Sequence, residues 1–105
     1  MRKATVFFDK TLIAGILSES PQEKSYVFEY DKDYQGPPVS LSMPLSQKTY
    51  NFDAFPPFFE GVLPEGPQLE ALLRLAKLDR DDYFGQLLTV GKDLVGAFSV
   101  EEALA

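Results

Sequence analysis

Pro56-Pro57-Phe58-Phe59-Glu60-Gly61-Val62-Leu63-Pro64-Glu65-Gly66-Pro67 divides the chain in two. These twelve residues hold four prolines, two glycines and two adjacent phenylalanines. Proline fixes φ and lacks an N–H donor, so neither a strand nor a long helix can run through the segment. The spacing allows at most a short helical turn over residues 58–62. Gly61 and Gly66 can take positive φ, which lets the chain reverse direction twice. Residues before this joint read as strands, and most of those after it as helices. Its large apolar side chains must bury somewhere. They can plug the domain's own core, or a stiff loop can present them to a partner, and the residues alone leave both readings open.

Upstream, Ala4-Thr5-Val6-Phe7-Phe8 is rich in β-formers and ends at Asp9-Lys10, a tight-turn pair. Residues 12–17 run back to complete a hairpin, with Gly15 allowing a close backbone approach or a bulge. Residues 18–24 are polar, contain Pro21 and read as a loop. In residues 25–31, Tyr26, Phe28 and Tyr30 alternate with Val27, Glu29 and Asp31, the period of a half-buried strand. Val39, Leu41 and Met43 alternate with Ser40 and Ser42, which predicts a fourth strand ended by Pro44. Residues 46–53 read as a polar connection anchored by Tyr50 and Phe52.

Downstream, Gly66 is placed to cap a helix that Pro67 opens, where a missing N–H costs nothing. Leu69, Leu72, Leu73 and Ala76 follow at i, i+3, i+4 and i+7, one stripe predicted to face the core, with Glu70 and Arg74 four apart and able to pair. A second helix is expected from an Asp79 cap, with Asp81 and Asp82 near the positive end of its dipole. Its apolar stripe is Tyr83, Phe84, Leu87 and Leu88, and Gly91 suits the C′ position. Residues 94–100 read as a last strand, and 101–105 as a tail. The order β-β-β-β, joint, α-α, β predicts an α+β fold: a small, mainly antiparallel sheet with two helices on one side. At 105 residues, one domain over the whole chain is expected.

Ten basic and 16 acidic residues give a net charge of −6, which argues against direct nucleic-acid binding, since phosphates need a basic surface. Such a charge suits a partner with a basic face, although solubility alone also accounts for it. No apolar run approaches a membrane span and no signal-peptide core opens the chain, so a cytoplasmic location is expected.

Histidine and cysteine are absent. That removes Ser-His-Asp and Cys-His catalysis, the usual zinc ligands and the commonest general base. Asp79, Asp81 and Asp82 lack the glycine and distal glutamate of a calcium loop, and helix capping accounts for them better. Glu60 and Glu65 sit five apart across a turn with no polar neighbour to orient an acid–base pair, and are read as bonding loop N–H groups or capping the next helix. Gly85-Gln86-Leu87-Leu88-Thr89-Val90-Gly91-Lys92 approaches a phosphate loop. However, five residues separate its glycines, Asp93 stands where a hydroxyl should hold magnesium, and the helix precedes the lysine. No catalytic residue, metal site or cofactor is assigned, and the chain is expected not to be an enzyme.

Three stretches in order resemble a known family: Ser42-Met43-Pro44-Leu45, then Pro57-Phe58-Phe59-Glu60-Gly61-Val62-Leu63-Pro64-Glu65-Gly66, then Gly91-Lys92-Asp93-Leu94-Val95-Gly96-Ala97. They are similar to the N-terminal subdomain of HipA-type toxin kinases, and the resemblance covers residues 6–100. In a full HipA-type protein a serine/threonine kinase body follows, and its catalytic loop, metal ligands and phosphate-binding loop have no counterpart here. A stand-alone copy resembles HipS-type proteins of three-component HipB–HipS–HipT systems. The resemblance implies a non-catalytic antitoxin that binds and neutralises a HipT-like kinase, with a HipB-like DNA-binding protein as third member of the complex. The alternatives are an N-terminal piece of a HipA-type kinase, which Met1 and the end at Ala105 count against, and a generic interaction module. The partner surface is expected on the joint, at Phe55, Pro57, Phe58, Phe59, Glu60, Leu63, Pro64 and Glu65, with one of Phe58 and Phe59 filling the core while its neighbour projects outward.

Overall fold

The computed structural model describes residues 1–20, 22–94 and 96–103. Five strands, β1 (Lys3–Phe8), β2 (Leu12–Ser20), β3 (Ser25–Tyr30), β4 (Thr49–Phe52) and β5 (Phe98–Glu102), form one sheet in the order β4-β3-β2-β1-β5. Every neighbouring pair is antiparallel. Three helices, α1 (Pro57–Glu60), α2 (Gly66–Ala76) and α3 (Tyr83–Val90), lie between β4 and β5 in the chain, and a 3-10 turn (Gly91–Asp93) follows α3. The helices pack on one side of the sheet, as the α+β reading expects.

Direct cross-strand partners share a face. The register therefore collects Ala4, Val6, Leu17, Phe28 and Val100 on the helix side, all buried. Phe59, Phe84 and Leu87 close the core from above. Asp9 and Lys10 turn the first hairpin with φ of 55° and 61°, and a bulge interrupts β1–β2 between Val6 and Phe7.

The elements differ from the sequence pattern in several places. Residues 18–20 belong to β2, because Ser18 and Ser20 pair with Val27 and Ser25 while the buried Glu19 bonds to Arg2. The fourth strand is Thr49–Phe52, whose Tyr50 and Phe52 share the inner face with Phe28 and Tyr26. The 39–43 stretch instead bends. The N–H of Ser42 donates to Ser40 Oγ, and such local bonding competes with a sheet ladder. Val39 and Met43 still bury, but as plugs pinned by Tyr30, whose hydroxyl accepts from the Val39 N–H (2.9 Å) and donates to the Met43 carbonyl (2.5 Å). Leu41 is left 96% exposed. β5 starts at Phe98 and runs through Glu101 and Glu102, because β1 supplies partners for both. Residue 95, inside the predicted strand, and residues 104–105 of the predicted tail lie outside the described residues.

The helix ends also shift. Glu65 is the N-cap residue of α2, and Gly66 has a left-handed φ of 60°. The cap of α3 is Asp82, whose carboxylate accepts from the Gly85 N–H (3.1 Å). Gly91 is right-handed (φ −58°), so it is no left-handed C′ residue. It is needed for a different reason: a Cβ there would overlap the Val100 carbonyl oxygen. Glu70 pairs with Arg80, and not with Arg74.

The largest difference is in α2. None of its residues is buried; Leu69, Leu72, Leu73 and Ala76 are half-buried, and Leu75 is 82% exposed. Full burial of a leucine would make an alanine substitution cost about 2–5 kcal/mol. With half of that surface already in water, Leu69→Ala or Leu72→Ala should cost about 1–2 kcal/mol in urea melts. A loss at the upper end of the full-burial range would show α2 to be held far more tightly.

Candidate partner-docking site

The joint is built from its prolines outward. Pro56 enters extended (φ −59°, ψ 131°) and Pro57 opens α1. Successive side chains on a helical turn diverge by about 100°, so the two phenylalanines part company. Phe59 is 1% exposed, with its ring 6.0 Å from that of Phe28. Phe58 stands half-buried, edge-on to Phe59 with centroids 5.2 Å apart. Phe59 is the inner member of the pair, while Phe58 packs half-buried against the edge of the core and does not project freely.

Phe55 and Leu63 are core residues too. Phe55 meets Tyr26 edge-to-face (5.3 Å) and Tyr83 at 5.6 Å. Of the eight expected positions, Phe55, Phe59 and Leu63 are thus buried in the domain's own core. Pro57, Glu60 and Glu65 are exposed, and Phe58 and Pro64 are half-buried. Neither Glu60 nor Glu65 uses its carboxylate on a neighbouring N–H among the described residues, and α2 has no side-chain cap.

Phe58, Phe59 and Val62 form one wall of an apolar pocket of about 210 Å³; Leu94, Ala97, Phe98 and Val100 form the other. Val62 and Leu94 also line an adjoining open groove of about 750 Å³, which continues past Leu63, Pro64, Glu65, Gln68, Val90 and Asp93. Two sequence stretches far apart in the chain, 57–66 and 91–97, therefore meet on one surface. The close approach at Gly91 draws the second stretch against β5. The third stretch, 42–45, is tied to β3 through Tyr30 and lines neither cavity.

The sequence pattern gave no hint of the ion network beside α3. Arg2 donates to both carboxylate oxygens of Glu19 (2.7 and 2.9 Å) and to both of Asp82 (2.8 and 3.3 Å), with its guanidinium 5.2 Å from the Phe84 ring centre. The arginine hydrogen bond holds the Asp82 carboxyl below the ordinary carboxylate range against the opposing effect of burial; the hydrogen bond with Glu19, and then that with Asp82, raises Arg2. Glu19 stands between Ser18 and Ser20 in a stretch whose polarity reads as a loop, so its burial was not legible. Its partner, 17 residues away, could not be named from one sequence. The network clamps β2 to the start of α3. Residues 85–90 lie within α3, so the near phosphate loop is no loop. Among the described residues no group of three acidic side chains could hold a metal, and no helix is long and apolar enough to cross a membrane.

Comparison with known proteins agrees with this architecture. An uncharacterized protein of Haemophilus influenzae is 33% identical over 102 residues, covering 97% of this chain and 93% of that protein. A solved structure described as the N-terminal domain of HipA toxin superposes with a TM-score of 0.77 at 30% identity, covering 99% of this chain and 94% of that one. HipA in the Shewanella oneidensis MR-1 complex with HipB and operator DNA shares the fold, with a TM-score of 0.77 at 23% identity. This chain spans only 24% of that protein's length. The family model for the HipA N-terminal domain matches residues 4–101, and the chain belongs to that family.

Proposed function

We propose that this protein is a non-catalytic antitoxin that binds and neutralises a separately encoded HipT-like serine/threonine kinase, with a HipB-like DNA-binding protein completing the complex. The observation that carries the reading is the convergence of 57–66 and 91–97 on one apolar surface with Phe58 at its edge. A subdomain that packs on a kinase within one chain keeps complementary apolar surface when it is encoded alone. A stiff, proline-bound aromatic loses little freedom on docking. The Haemophilus influenzae relative is matched over 93% of its own length, so a protein of similar size exists there.

Co-expression with the kinase gene tests the reading: growth should be restored, and the two purified proteins should co-elute. Unrelieved toxicity without co-elution would rule it out. Calorimetry of the isolated protein with magnesium-ATP should give no binding heat, because the chain lacks every phosphate-holding motif. Saturable micromolar binding would contradict a non-catalytic role. The second reading, an N-terminal piece of a HipA toxin, is favoured by the similarity to a quarter of the Shewanella oneidensis protein. A kinase reading frame continuous with this one would establish it.

A further inference from the structure

The open groove beside the joint carries a charge pattern that bears on which part of the kinase it takes. Its floor is apolar, formed by Val62, Leu63, Val90 and Leu94. Glu65 from the joint and Asp93 from the 3-10 turn stand along it, and no lysine or arginine lines it. Both carboxylates are exposed, and neither is paired in a salt bridge among the described residues. Glu65 occupies the N-cap position of α2 and makes no side-chain cap hydrogen bond. Two acceptor groups beside apolar surface are thus left for something outside the chain.

A cation drawn against such a surface loses part of its water, and its attraction to the carboxylates strengthens as the local dielectric falls. A second copy of this chain is a poor occupant. The protein carries a net charge of −6. Like-charged chains repel.

Resting on the antitoxin reading, we propose that the groove receives a segment of the kinase in which a large apolar side chain adjoins a lysine or arginine. The apolar side chain covers Val62 and Leu94, and the cation meets Glu65 and Asp93. Phe58 anchors the neighbouring pocket independently of charge.

The test is a titration of purified kinase against wild type and the Glu65→Gln/Asp93→Asn double variant at ionic strengths of roughly 0.05 and 0.5 M. Both side chains are exposed, so the two proteins should melt alike. The variant should bind roughly tenfold more weakly at low salt and converge with wild type at high salt, where screening removes the attraction. Glu65→Lys should weaken low-salt binding further. Equal affinities at both salts would overturn this proposal and leave the antitoxin reading standing. A loss of the same size at both salts would overturn it too, because shape and not charge would then be responsible. If wild type fails to bind the kinase at either salt, the antitoxin reading falls and this proposal falls with it.

Discussion

Phe59→Ala should lower the unfolding free energy by about 3–5 kcal/mol, the range for emptying a buried phenylalanine site. The ring is 1% exposed and lies between Phe28 and Phe58, so its loss opens a cavity where α1 meets the sheet. Phe58→Ala should behave differently. Its half-buried ring makes one aromatic edge contact, and its removal should cost about 1–2 kcal/mol of stability. In exchange it should weaken kinase binding by about 2 kcal/mol or more, as loss of an interface anchor does. Urea melts and a kinase titration on both variants separate the two roles. Should Phe58→Ala keep full affinity and full rescue of growth, the joint serves only its own core and the partner binds elsewhere.

Arg2→Met should be the most damaging substitution outside the apolar core. It removes the guanidinium that lies over Phe84 and leaves Glu19, whose side chain is 10% exposed, without its bidentate partner. Removing one member of a buried pair costs about 3–5 kcal/mol; because Arg2 itself is 39% exposed, about 2–3 kcal/mol is expected. The pH dependence gives a second readout. Asp82 is held below its ordinary value of 3.8, so the folded state binds fewer protons than the unfolded one in that range. Its contribution is present above the ordinary value and disappears as pH falls through the folded value. Arg2→Met should therefore flatten the acid limb of the stability profile below about pH 4. A limb as steep as wild type would mean that Arg2 does not set the Asp82 ionisation.

The alternation in 25–31 and the β-rich run 4–8 read correctly because each has one buried face that sterically demands a period of two. The pattern 39–43 has the same period and is no strand. The serine hydroxyls at 40 and 42 satisfy local groups, and the Tyr30 hydroxyl takes up the Val39 N–H. Conversely, Thr49–Phe52 is too short and too polar to announce itself, and only the register with β3 makes it a strand. The α2 stripe is real as a pattern, but amphipathicity tells which face is apolar and not how deeply that face is covered. The joint was legible to the level of its two phenylalanines. Its groove was not, because a third of its lining comes from Val90, Asp93 and Leu94, which only the tertiary fold brings near the joint.

The β1–β5 ladder ties the two ends of the chain together, pairing Ala4 with Glu102, and the Ala103 N–H donates to the Lys3 carbonyl (2.9 Å). The first three strands can zip by short hairpins as they leave the ribosome. Until β5 is synthesised, however, β1 has an open flank beside Val6 and Phe8, able to template a neighbouring nascent chain. Closing a loop of nearly the full chain length is also the slowest contact to find. Productive folding therefore waits on the last five residues of the sheet, and a chain stalled just before them is the form most exposed to aggregation.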